Sequence, residues 1–198
     1  MASERIKTPH EFHCLTDSYI RGVDRVLFKQ YWPGWWSKLE MFWYQAQLGE
    51  PVLFLDLDTA LVGDIELTEP QDREVFLLRD LMAYGDVRYK SRWWATGLMA
   101  WNVDLSFIYD HALHLGIEHV RNYYQWDQIF VGKCLQEADT FSVRAIDDTM
   151  TVQSYKVHGL HCKSPGKDTQ IVCFHGQPRP WDVETPWVKE LWHGMARN

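Results

Sequence analysis

Basic clusters, long apolar runs and paired cysteines are all missing from this sequence, and each absence removes a class of protein. No group of lysines and arginines stands together, and the formal net charge is −7. A nucleic-acid binder replaces phosphate counterions with a patch of positive charge, so a nucleic-acid partner is not expected. The longest apolar runs are strand-sized, short of the ~20 residues that a membrane span requires. Met1 to Pro9 lacks the apolar core of a secretory leader. The four cysteines, Cys14, Cys134, Cys162 and Cys173, contain no Cys-x-x-Cys pair and no zinc-like spacing. Reduced thiols and a cytoplasmic location are therefore expected. Low-complexity tracts, internal repeats and dividing linkers are also lacking, so residues 1–198 read as one domain.

What is present is a globular composition, 46% apolar and 24% charged, in a pattern that alternates strand and helix. Glu11 to Thr16 and Arg25 to Lys29 read as short strands. Pro33-Gly34 then breaks the chain before a helix from Trp35 to Leu48. Trp36, Leu39, Trp43 and Ala46 recur there at helical spacing, with Phe42 and Trp35 widening the stripe. Gly49-Glu50-Pro51 ends it. Val52 to Leu55 is continuously apolar, as in a strand of a parallel sheet covered on both faces. Further strands are expected at Glu74 to Leu78, Leu98 to Trp101 and Ile171 to Phe174. Helices are expected at Asp104 to Leu115, at Asp127 to Glu137 and from Thr185 onward. The expected fold is α/β, Rossmann-like, with a mostly parallel central sheet flanked by helices.

The strongest chemical signal closes one of those strands, in Val52-Leu53-Phe54-Leu55-Asp56-Leu57-Asp58-Thr59. In extended backbone, residues two apart point the same way, so Asp56 and Asp58 would share one side. The carboxyl end of a buried strand is where open α/β sheets bind ligands. Two convergent carboxylates suit a hard divalent cation, Mg²⁺ or Mn²⁺, with positions left open for phosphate oxygens.

Five spaced segments extend this motif into a resemblance. They are Gly34-Trp35-Trp36-Ser37-Lys38-Leu39-Glu40-Met41-Phe42, Leu55 to Thr59, Trp94-Ala95-Thr96-Gly97-Leu98-Met99-Ala100-Trp101-Asn102, Trp126-Asp127-Gln128, and Phe174-His175-Gly176-Gln177-Pro178-Arg179-Pro180-Trp181. In that order the chain resembles the nucleotide-sugar glycosyltransferases of the GT-A fold, especially those similar to glycogenin and the bacterial family-eight galactosyltransferases. The resemblance implies that Asp56 and Asp58 hold the cation on the donor's diphosphate. It further implies that Lys38 and Arg179 meet phosphate, Arg179 in place of the family's lysine. Thr96, Gly97, Asp127 and Gln128 would lie at the reacting sugar, Gly176 in the closing loop, and Asp80 on the donor sugar. The family's metal-binding histidine aligns with Cys173, while His175 stands two residues on. An imidazole suits Mn²⁺ better than a thiolate does, so His175 is the expected third ligand. Most of the eleven tryptophans, including parts of the pairs Trp35-Trp36 and Trp93-Trp94, would fill the core, and one or two would line a sugar site. Glu11 to Asp17 resembles the family's second strand, so one βα unit of about 30 residues is expected to be absent.

The implied partners are a nucleoside-diphosphate sugar and an acceptor of unassigned class, and an oligomer is left open. Two other readings remain. A haloacid-dehalogenase-type phosphatase also places Asp-x-Asp after an apolar strand, with Asp147-Asp148 as a distal acidic pair. A transferase fold kept only for carbohydrate binding or interaction is the second, since a fold does not fix a function.

Overall fold

Side chains alternate along the strands and send every second residue to a different core. The computed structural model describes residues 2–21, 23–82 and 94–194, which leaves Trp93 outside them. A one-turn helix α1 (Ala2–Arg5) precedes β1 (His13–Leu15) and β2 (Asp24–Val26), which pair in parallel. A 3-10 segment, Gly34–Leu39, leads into α2 (Glu40–Leu48), then β3 (Val52–Leu55), β4 (Thr59–Leu61), β5 (Glu74–Arg79) and β6 (Trp94–Trp101). Next come α3 (Ser106–Leu115), α4 (Ile117–Tyr124), α5 (Asp127–Ala138) and β7 (Ser142–Ala145). The chain continues through β8 (Val152–Ser154), β9 (Ile171–Cys173) and α6 (Pro186–Gly194).

The main sheet has the order β3-β6-β5-β7. β6 is antiparallel to both β3 and β5, while β7 is parallel to β5. The α/β class is as expected, but the sheet is mixed: β3, β5 and β7 run one way and β6 runs against them. On β5 and β6, Val75, Leu77, Met99 and Trp101 join the core under the helices with Leu39, Phe42, Ile108 and Phe130. Their neighbours Phe76, Leu78, Leu98 and Ala100 face the other way, onto Leu61, Ile65, Ile146 and Ile171. This second core lies against a smaller sheet, β4-β9-β8. The far face of that sheet, through Ala60, Val172 and Phe174, packs on Val188 of α6. β3 follows the same alternation but stands at the sheet edge, so its four residues are half-buried and not fully covered.

The helix expected from Trp35 begins instead as the 3-10 segment, and only Glu40 onward is α-helical. Three residues per turn, against 3.6, moves Trp35 out of the apolar stripe; it is 49% exposed, while Trp36 is buried. Gly49, at φ +70, adopts the left-handed conformation that ends α2, and its amide donates to the Gln45 carbonyl at 2.9 Å.

The smaller sheet has one tight point. Gly63 donates to the Gln170 carbonyl at 3.1 Å, and a Cβ placed on it would stand 2.6 Å from the Thr169 carbonyl oxygen. Both contacts are backbone, so neither side can rotate away. Gly63→Ala is expected to cost about 1–2 kcal/mol as an overpacking strain. Urea unfolding with unchanged slope and a lower midpoint would register it; an unmoved midpoint would mean that the strands shift freely.

Candidate functional site

β3 ends at Leu55, and the Asp56 amide still donates to the Gly97 carbonyl of β6 at 2.8 Å. The chain then turns, with Thr59 N–H donating to the Asp56 carbonyl at 3.0 Å as β4 begins. Asp56 and Asp58 therefore ride on a turn at the carboxyl end of β3. The turn replaces the extended backbone expected there and gives the two carboxylates different partners.

Asp56 belongs to the first group. Lys38 Nζ, in a side chain almost wholly buried, lies 2.9 Å from Asp56 Oδ2 and 3.1 Å from Asp127 Oδ2. Burial opposes the Lys38 charge, but Asp127 and Asp56 outweigh it and hold the ammonium's pKa above the ordinary lysine value. Burial raises the Asp56 carboxyl above its usual range against the pull of Lys38, with Asp127 and Asp58 adding to the rise. One cation serves too many carboxylates. Thr96 Oγ1 donates to Asp127 Oδ2 at 2.5 Å, and both side chains are buried. Asp127 is the first residue of α5, with Trp126 at the N-cap position, and its carboxylate turns to Lys38 and Thr96. A Cβ on Gly97 would stand 3.2 Å from Asp56 Oδ2, so glycine lets β6 pass close beside that carboxylate. Lys38, expected to meet phosphate, sits late in the 3-10 segment and is paired with two carboxylates.

Asp58 heads the second group. It forms an ion pair with Arg179 Nη1 and accepts the Gly176 amide at 3.3 Å. The Asp58 carbonyl accepts the Phe174 amide at 3.0 Å. Gly176, at φ +91, lets the closing loop bend back onto the carboxylate. A third pair flanks these two: Gln128 Nε2 donates to Asp80 Oδ2 at 3.3 Å. Arg79 beside it reaches Asp147 at 2.9 Å and Asp148 at 2.7 Å, which anchors the end of β5. The acidic pair that a phosphatase would need is thus spent on Arg79, whereas the charges acting on Asp56 are Lys38, Asp127 and Asp58.

His175 was placed by extending β9 two residues past Cys173. The strand ends at Cys173, and His175 takes φ +36, so strand alternation does not set its direction. Its Nε2 lies 2.5 Å from Ser154 Oγ. Desolvation, helped by Lys156, pushes its pKa below the ordinary histidine value, leaving a neutral imidazole. Cys173 is buried and hydrogen-bonded to Thr59, with its thiol pushed up to about 12.

Sequence reasoning missed Ser154, the last residue of β8, and Lys156 just after it, which belong to none of the recognised segments. Lys156 Nζ donates to the His175 carbonyl at 2.6 Å and lies 3.5 Å from where a Gly176 Cβ would be. The only available signal was a lone lysine.

Among the described residues, no three His, Cys, Asp or Glu side chains stand together as a set that could hold a metal ion. Two hard carboxylates on one turn nonetheless match a Mg²⁺-type ion, which takes one or two protein carboxylates and completes its shell with phosphate and water. Charge favours the same ion. Asp56, Asp58, Asp80 and Asp127 outnumber Lys38, Lys156 and Arg179, so the cluster carries surplus negative charge.

No helix of the described residues is long and apolar enough to cross a membrane. No family model and no curated protein matches the chain. Among solved structures it is similar to the apo form of a bifunctional glycosyltransferase, WbbM, at 14% identity and a TM-score of 0.47. That similarity covers 86% of this chain and 39% of the other, so this chain spans well under half of that protein's length. At this level it transfers no residue role from one chain to the other, and function rests on the side chains themselves.

Proposed function

We propose that this chain is a glycosyltransferase that moves a sugar from a nucleoside diphosphate to an acceptor hydroxyl, with Mn²⁺ or Mg²⁺ held at Asp56 and Asp58. The carrying observation is the turn after β3, where two carboxylates meet two cations from distant parts of the chain, Lys38 and Arg179. Such a centre suits a ligand that brings both signs of charge, as a diphosphate with its cation does.

In the reaction the bond from the anomeric carbon to the diphosphate breaks, and the acceptor oxygen takes its place as its proton passes to the departing diphosphate. A bound divalent cation would supply charge neutralisation as the leaving oxygen becomes anionic. Arg179, paired with Asp58 in the free protein, would exchange it for phosphate oxygens, which its planar fork can hold in pairs. Lys156 adds a second positive charge to that side. Asp127, fixed by Lys38 and Thr96, and the Asp80–Gln128 pair offer acceptors and donors for sugar hydroxyls. Lys38, 3.1 Å from its carboxylate, holds Asp127 in place.

A panel of nucleotide sugars with Mn²⁺, scored by donor hydrolysis, tests the activity. Binding is tested by thermal unfolding. At about one hundred times Kd, a ligand of the native state adds ~2.7 kcal/mol, a Tm rise of roughly 5–10 °C at this size. Mn²⁺ with a nucleoside diphosphate should produce that rise, and Asp58→Asn should abolish it with the fold intact. A rise undiminished in the variant would make the motif structural.

A further inference from the structure

Two tryptophans stand exposed beside the charged centre. Trp35 and Trp126 stack with ring centroids 5.7 Å apart and planes 15° from parallel, yet remain 49% and 44% exposed. Their places are set by the residues that form the site. Trp126 immediately precedes Asp127. Trp35 is one 3-10 turn before Lys38, and in that helix residues three apart eclipse each other. The support beneath is fixed: Trp36 is buried edge-on against Phe130, 6.4 Å between centroids. The Trp126 carbonyl accepts the Ile129 amide at 3.2 Å and the Phe130 amide at 3.3 Å. Stacking alone would explain two indoles that hide each other, but about half of each remains open to water. Large apolar surface left open next to a polar centre marks a ligand contact.

We infer that the Trp35–Trp126 pair is the platform on which the acceptor lies, and that the acceptor is a neutral pyranoside. An indole face carries negative quadrupole charge and attracts the weakly positive C–H groups of a pyranose ring. The surplus of carboxylates next to the platform accepts hydrogen bonds from hydroxyls and repels carboxylated or phosphorylated sugars. Direct continuity from Trp126 to Asp127 places a bound ring beside the proposed reaction centre. This assignment rests on the transferase reading for its role as acceptor site.

The test is binding to the intact chain, followed by saturation-transfer NMR and by tryptophan emission, with lactose, maltose, cellobiose and methyl mannoside as probes and sorbitol as open-chain control. Ring-face stacking is generic, so the pyranosides should bind at millimolar levels, well ahead of sorbitol, and shift the emission of the unmodified protein to the blue. Trp126→Ala and Trp35→Ala should each weaken binding about tenfold, whereas Trp126→Tyr, which keeps an aromatic face, should stay within about threefold of wild type. Circular dichroism checks the fold of each variant, and the emission shift requires no variant. Pyranosides that bind no better than sorbitol, or equally well in both alanine variants, overturn the platform. Donor hydrolysis by wild type separates the two readings. Hydrolysis without pyranoside binding removes the platform alone. Tryptophan-dependent binding without turnover of any donor keeps the platform as a carbohydrate site and removes the transferase.

Discussion

Lys38→Met is expected to cost about 3–5 kcal/mol in urea unfolding and to lower donor turnover at least ~100-fold. Methionine fills the same space without the charge. It leaves Asp56 and Asp127 facing each other with no cation between them, where Lys38 now lies 2.9 and 3.1 Å away. Removing one partner of a buried pair costs more than the pair contributes, because the surviving charge stays desolvated. The loss should shrink when Asp56→Asn is combined with Lys38→Met, since one of the two orphaned carboxylates is then gone. A double-mutant cycle reads this as a coupling of about 1–3 kcal/mol. Strictly additive losses would mean that the network merely accompanies the fold.

The residues that carry this network were largely readable from sequence, because they lie in short segments of recognisable chemistry. Val52–Leu55 has the same bounds in sequence and structure, and Asp127 opens a helix as expected. The direction of β6 was not readable. Its apolar run is buried on both faces whether it runs parallel or antiparallel, so periodicity contains no sign of direction. β7 and β8 escaped notice because they lack a continuous apolar run like those of β3 and β9, and β4 because it starts directly after the Asp56–Asp58 turn. α4 was missed for a different reason: it is only eight residues long and mostly polar, with Val120 its one fully buried side chain. Where one segment's residues meet side chains from another, sequence order falls silent. Arg179 on Asp58 and Lys156 on the His175 carbonyl join positions that only the β4-β9-β8 sheet brings together. At His175 the difference is local: the strand stops at Cys173, so alternation along it does not set the direction of that side chain.

Glu40 is the other residue whose role appears only in three dimensions, and Glu40→Ala is expected to destabilise the chain by about 3–6 kcal/mol. The residue is 1% exposed, and its carboxylate is held by backbone groups. Its two oxygens accept the backbone amides of Lys29 and Gln30, the latter at 3.1 Å. Hydrogen bonds to a charged acceptor contribute about 1.5–3 kcal/mol each, and alanine removes both while opening a cavity. These bonds also have a geometric consequence. Glu40 starts α2 at the end of the Gly34–Leu39 segment, and residues 29 and 30 lie before that segment begins. The carboxylate therefore closes a loop whose contents include Trp35 and Lys38. Cutting the tie should loosen both, so hydrogen exchange at amides 29 and 30 should quicken as stability falls. Donor turnover should drop further than the unfolded fraction accounts for. Glu40→Gln retains one good acceptor and should recover roughly half of the stability. A Glu40→Ala variant with the wild-type urea midpoint would show that the 3-10 segment is held by its buried Trp36 and Leu39 alone.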